Sequence, residues 1–194
     1  PTPTYAVEGD TLVGPEGAVA LELKLPGRAN LGNAAQAIAA AVEAFGVPFE
    51  KAVRATEAVD NVAGRYSSVH LGEREVHLLL AKNPAGWQEA LSMVDRSADG
   101  LVIATNGQVA DGEDLSWLWD VKFEDFEGLK VVAAGERGTD LAVRLLYAGI
   151  EHSLIHDPID AIRACPPGRV EVLANYTAFR DLKKDLAKQE DYRG

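Results

Sequence analysis

REVHLLLAKNPAGWQEALSMVDRSADGLVIAT, residues 74–105, is the stretch that decides the fold. It opens on a near-continuous apolar run, turns at Asn83-Pro84, continues as a segment of helical composition around Trp87 to Val94, and closes on a second β-branched apolar run. Apolar runs of this kind are strands buried on both faces, and a helix between two of them is the crossover that parallel pairing requires. The same alternation extends outward on both sides. Tyr66–Leu71 reads as a strand before it, and after it come a short helix near Leu115–Trp119, strand KVVAA, helix TDLAVRLLYAG, strand HSLIH, helix PIDAIRAC, strand RVEVLAN and helix TAFRDLKKDLAKQ. The rhythm predicts a doubly wound, Rossmann-like α/β domain, with its site in the loops after the strands: KNPAG, TNGQVADGED, AAGERGTD and ANYTA. The closing DYRG is expected to fray.

The first third is different. Residues 5–25 alternate apolar and polar positions around two glycine turns, which predicts short antiparallel strands. An alanine-rich helix is expected from about Leu31 to Phe45, stopped by Gly46, and a second opens at Pro48 with Val53 and Thr56–Val59 on its buried face. Together they predict a small β element followed by a helical hairpin.

Composition narrows the function. Of 194 residues, 47% are hydrophobic and 25% charged, as expected of a globular chain. Thirty acidic against 19 basic residues give a net charge of −11, which repels phosphate backbones and argues against a nucleic-acid partner. The single cysteine, Cys165, builds no disulfide framework and suits a reducing, cytoplasmic setting. No apolar run approaches the roughly 20 residues of a membrane span. His70, His77, His152 and His156 fall in strand-like segments without metal-ligand spacing, so no metal site is expected. The pattern G-x-x-x-x-G-K-[ST] is absent, and Gly135–Gly138 matches a phosphate loop only loosely.

Three constellations carry chemistry. Asn30 and Asn33 stand at a helix start, where carboxamides can border an adenine edge, although Asn there is also a common cap. Lys82 ends a buried strand at a Pro-shaped turn and can hold an anion or be solvated, while Asn83 is placed to cap the next helix. Asp111 and Asp114 lie in an acidic, glycine-bearing loop that runs into Trp117 and Trp119. A carboxylate there can orient a histidine, bind a cation or simply cap the turn.

Five motifs in one order, N-x-x-N-A-A at 30–35, G-R at 64–65, L-x-A-K-N-P-A-G at 79–86, A-D-G-x-D-x-S-W-L-W-D at 110–120 and N-Y-T-A at 175–178, resemble the MurT family of Mur-ligase-like subunits. The resemblance implies that residues 1–60 are the end of the central ATP-binding domain, following an upstream zinc ribbon, and that residues 61–194 are the C-terminal Mur-ligase domain. It implies a lipid II isoglutaminyl synthase in which ATP, with Mg2+, activates the D-glutamate α-carboxylate of lipid II as an acyl phosphate. Ammonia from the glutaminase partner GatD then gives D-isoglutamine. By similarity Asn30 and Asn33 match the nucleotide-side asparagine pair, and Arg65 and Lys82 face the cleft. The same resemblance implies that an aspartate of the C-terminal domain, Asp114 or next Asp111, completes the glutaminase Cys-His pair. Two positions depart from the Mur-ligase pattern: Ala29 stands where a histidine is usual, and Asp-x-Ala-His-x-Pro appears as Leu79, Ala81, Lys82 and Pro84. The competing expectation is an unrelated Rossmann-like module that binds a nucleotide or a protein.

Overall fold

A computed structural model describes residues 3–60, 66–126 and 129–194. The chain divides into two compact units, Pro1–Val62 and Ala63–Gly194. In the first, β1 (Ala6–Glu8), β2 (Thr11–Gly14) and β3 (Gly17–Ala20) form the expected antiparallel meander. Helices α1 (Arg28–Phe45) and α2 (Phe49–Glu57) follow, and Leu12, Leu21, Ala34, Ala35, Ile38, Ala52 and Val53 form their shared core with the sheet. Gly46 ends α1 in the left-handed conformation at φ 63°, giving its N–H to carbonyls of the last turn.

Two local expectations fail here. Helix α1 begins at Arg28, three residues early, because Gly27 at φ 95° turns the chain directly after Pro26 and Arg and Ala are good helix formers. Asn30 is therefore inside the first turn rather than capping it, and its Nδ2 donates back to Pro26 O at 2.6 Å. Helix α2 buries Ala52 and Val53; it stops at Glu57, leaving Ala58 and Val59 exposed beyond its end.

The second unit holds a seven-stranded sheet. Its elements are β4 (Tyr66–Leu71), β5 (Arg74–Leu80), α3 (Pro84–Met93), β6 (Gly100–Ala104), 3-10 segments Ser116–Asp120 and Phe123–Phe126, β7 (Val131–Ala134), α4 (Gly138–Tyr147), β8 (His152–Leu154), α5 (Pro158–Ala164), β9 (Gly168–Ala174), α6 (Tyr176–Leu186) and β10 (Tyr192–Arg193). The strand order is β10-β4-β5-β9-β6-β7-β8, and the block from β5 to β8 is parallel. Strand β4 joins this block antiparallel, because the connection Gly72-Glu73 is long enough only for a hairpin, with Gly72 at φ 58°. Nor does the C-terminus fray: Tyr192 and Arg193 pair with Leu71 and His70, covering an edge that β4 would otherwise leave open.

Each face of the sheet has its own core. Trp87 and Leu91 of α3, Leu118 and Phe123 of the 3-10 segments, and Leu141 and Leu145 of α4 pack on one face. Ile159 and Ile162 of α5 and Phe179, Leu182 and Leu186 of α6 pack on the other. The chain is thus a doubly wound, Rossmann-like α/β domain preceded by a small α/β unit. Among the described residues no helix is long and apolar enough to cross a membrane.

Candidate functional site

In a doubly wound sheet the ligand crevice lies where neighbouring strands send the chain to opposite faces. Here β6 leads to the α3/α4 face and β9 to the α5/α6 face, so the crevice belongs at their C-terminal ends. Two carboxamides fill it. Asn175 Oδ1 accepts from the backbone N–H of Asn106 at 3.0 Å, Asn175 Nδ2 donates to Asn106 O at 2.7 Å, and Asn106 Oδ1 accepts from Glu136 N–H at 3.0 Å. Both residues are buried. The neighbouring turn is equally close-packed: a Cβ on Gly135, at φ 89°, would stand 2.3 Å from Thr105 O. Beside this plug, between α5 and α6, a cleft of about 370 Å³ is lined by Asn106, His156 and the carboxylates of Glu136, Asp157, Asp181 and Asp185. Such a lining disfavours a phosphate group.

With its side chain committed to Asn106, Asn175 does not cap α6. Asp111 does so from across the sheet edge. Its Oδ1 accepts from Tyr176 N–H at 3.1 Å, and its Oδ2 accepts from Thr177 N–H at 2.7 Å and from the Thr177 hydroxyl. A carboxylate engaged by three donors anchors a loop and has little capacity left for another molecule.

Asp114 is in a different position. It is exposed, and its Oδ1 accepts from Ser116 N–H at 2.8 Å, a side-chain turn just ahead of the 3-10 segment; the cap position itself falls on Leu115, not on Asp114 as the capping reading expected. Hydrogen bonding to Ser116 also holds its carboxyl below the ordinary aspartate range, so it is ionised at neutral pH. Its backbone is gripped from outside: Arg137 Nη1 donates to Glu113 O at 3.0 Å, while Arg137 Nε pairs with Asp140 at 2.8 Å. Further along, the buried Arg144 donates to Val121 O at 2.7 Å and Leu118 O at 3.2 Å and pairs with Glu124 at 2.8 Å. Its guanidinium also lies over the rings of Trp119 and Phe123. Trp117 stacks on the fully buried Trp87, with centroids 5.6 Å apart. The loop after β6 is thus fastened at Asp111, Glu113, Leu118 and Val121, and presents Asp114 outward between the fastenings. A carboxylate accepts at up to about four lone-pair positions, so one bonded to Ser116 can still take an imidazole N–H.

The other sequence candidates separate. Lys82 is exposed just past β5, its Nζ 5.7 Å from the centre of the Tyr176 ring, so Lys82 and Asp111 flank Tyr176. Asn83 caps α3, accepting from Gly86 N–H at 2.8 Å. Asn30 and the exposed Asn33 are one turn apart on α1 in the first unit, and Arg65 lies outside the described residues. His77 is buried between Tyr66 Oη (3.1 Å) and Glu75 (2.9 Å), and His156 Nδ1 is 3.1 Å from Gly135 O. Among the described residues no three His, Cys, Asp or Glu side chains gather as a metal site. The two arginine fastenings were not anticipated. For Arg144 a signal existed: it shares the core-facing side of α4 with Leu141 and Leu145, an unusual place for a cation. Arg137 stood in a loop noticed only for its glycines.

Comparison with solved structures defines the class first. MurF from Acinetobacter baumannii superposes with a TM-score of 0.68 over 92% of this chain and 42% of its own, at 19% identity, so the fold is that of the Mur-type ligases. The MurT ligase C-terminal family matches residues 80–179, and this chain belongs to it. The lipid II isoglutaminyl synthase (glutamine-hydrolyzing) subunit MurT of Streptococcus pneumoniae (strain ATCC BAA-255 / R6) is 32% identical over 143 residues, 68% of this chain. The subunit of the same name from Staphylococcus aureus (strain COL) is 31% identical over 137 residues. The chain spans 32% and 26% of the lengths of these two relatives.

Proposed function

We propose that this chain is the C-terminal part of a MurT-type subunit, in which the Rossmann-like unit docks a GatD-type glutaminase and lends it Asp114. The complex would amidate the D-glutamate α-carboxylate of lipid II with ammonia drawn from glutamine. Family membership motivates the reaction, and one observation carries the role of this chain: an exposed, ionised carboxylate on a loop fastened by Arg137 and Arg144 at the C-terminal edge of the sheet. Held against the glutaminase histidine, Asp114 would fix the imidazole tautomer and stabilise the imidazolium formed when the cysteine thiol gives up its proton. Asp111, committed to α6, is the anchor rather than the third catalytic residue.

In the full-length subunit ATP, with Mg2+, would supply the acyl-phosphate activation. Of this chain's residues, Asn33 and the Oδ1 side of Asn30 suit the nucleotide edge, because the Nδ2 of Asn30 is already given to Pro26 O. Lys82 suits an anion. The zinc ribbon and the P-loop belong, on this reading, to sequence N-terminal to Pro1, with residues 1–60 closing the ATP-binding domain. The complex would work in the cytoplasm. The plugged crevice and its acidic flank disfavour a free-standing nucleotide-binding module.

The test is calorimetric titration of the chain with the purified glutaminase subunit, followed by glutamine hydrolysis with wild type and Asp114→Asn. Assembly is expected to survive the substitution while hydrolysis falls by at least two orders of magnitude, since removal of the orienting acid of a triad costs about 10⁴-fold. Unchanged turnover in the assembled variant would overturn the assignment of Asp114.

A further inference from the structure

The outer side of α4 is apolar. Val143, Leu146 and Tyr147 stand at i, i+3 and i+4 and are 45%, 68% and 75% exposed. Trp119, 55% exposed, joins them by an edge-to-face contact with Tyr147 at 5.3 Å. The four side chains present on the order of 400 Å² in one place, at the upper end of what a monomer leaves to solvent without use. A standard interface needs roughly 800 Å² from each partner, built as an apolar centre inside a polar rim. This patch has the size and composition of such a centre.

The patch is also held rigid. Arg144, on the same helix but turned inward, lies under the Trp119 ring at 5.5 Å while bonding Leu118 O and Val121 O. The indole is thereby fixed relative to α4, and little side-chain freedom remains to be lost when a partner covers it. Aromatic anchors fixed in this way are the usual sources of interface energy.

The rim says what covers it. From Asp111 to Asp120 the loop carries four carboxylates and no cation of its own; Asp140, one turn before Val143 on α4, is paired with Arg137, so the acidic excess of the rim is that of the loop. A second copy of this chain, seated face to face, would press the acidic rims together, and each chain already carries a net charge of −11. A partner with an apolar centre and a basic surround meets no such opposition. Because Asp114 belongs to this rim, the same partner would receive its carboxylate.

We infer that the Trp119–Val143–Leu146–Tyr147 surface is the docking face for the glutaminase subunit, whose matching surface is apolar at its centre and basic at its margin. The inference rests on the proposed function above but can fail separately from it. Its test is titration of wild type, Leu146→Glu and Tyr147→Ala with the purified glutaminase, with sedimentation of each chain alone and circular dichroism to establish folding. Leu146→Glu is expected to weaken binding at least a hundredfold and Tyr147→Ala at least tenfold, both with wild-type spectra. Raised salt is expected to weaken wild-type association, as charge pairing at the rim requires. Equal affinity of wild type and Leu146→Glu overturns the docking face and leaves the proposed function standing. No binding by wild type overturns both. A dimer of the isolated chain that Leu146→Glu converts to monomer, with glutaminase affinity unchanged, assigns the patch to self-association instead.

Discussion

Replacing Asn175 by alanine tests the plug at the head of the sheet. The side chain is 1% exposed and satisfies both backbone groups of Asn106 at once, accepting from its N–H and donating to its carbonyl. Truncation leaves those two buried backbone groups without their partner. At about 1–3 kcal/mol for each buried group deprived of its hydrogen bond, the loss comes to about 3 kcal/mol or more. A unit of this size loses roughly 3–4 °C of melting temperature for each kcal/mol, so a fall of about 10 °C is expected. Urea unfolding followed by tryptophan fluorescence is the suitable assay, because Trp87, Trp117 and Trp119 all lie in the second unit and report on it alone. Asn83→Ala supplies the scale: it removes an exposed cap from α3 and should cost only about 1 kcal/mol. If Asn175→Ala proves no more damaging than Asn83→Ala, the reasoning that the Asn106–Asn175 pair closes the crevice is wrong.

Two further outcomes follow from the fastenings and the charges. Arg137→Ala removes the grip on Glu113 O, so, on the proposed role of Asp114, glutamine hydrolysis by the proposed complex with a glutaminase should fall about tenfold in kcat, with KM and assembly little changed; steady-state kinetics against Arg137→Lys, which keeps a donor, would show whether the contact rather than the fold is responsible. On acidification, Asp95, Asp114, Glu124 and Asp140, all held below the ordinary carboxylate range by hydrogen bonds, contribute stability that is complete above that range and lost as pH falls through it. Glu171 runs the other way: burial raises its pKa, so its contribution favours folding at low pH and is lost as pH rises, and urea midpoints between pH 6 and pH 3 should fall more steeply in Glu171→Gln than in wild type.

The legible parts of the fold were those written in local pattern. Apolar runs such as HLLLA and LVIA, helices opening at Pro84 and Pro158, and Gly46 as a stop each describe a few consecutive residues, and the structure has them where the pattern put them. What escaped depends on distant residues. Strand β10 is two residues long and exists because β4 offers it an edge. The cap of α6 is supplied by Asp111, 65 residues before Tyr176, and therefore has no signature beside the helix it serves. Asn30 was misplaced because its capping alternative depended on where α1 begins, which Gly27 decides by its backbone angle. The candidate site divides in the same way. The acidic loop and its two tryptophans were visible in sequence, whereas the division of labour between Asp111 as anchor and Asp114 as presented carboxylate needed the hydrogen bonds.

The position of β9 bears on how the chain is made. It is the last of the parallel strands to be synthesised, yet it sits between β5 and β6 and joins the two halves of the sheet. Until residues 168–174 leave the ribosome, β5 and β6 each expose an unsatisfied, strongly apolar margin, and no arrangement of the preceding residues can pair them as they finally pair. Acquisition of the native sheet must therefore be a late, concerted event, and nascent chains truncated before Gly168 are the species most in need of a chaperone.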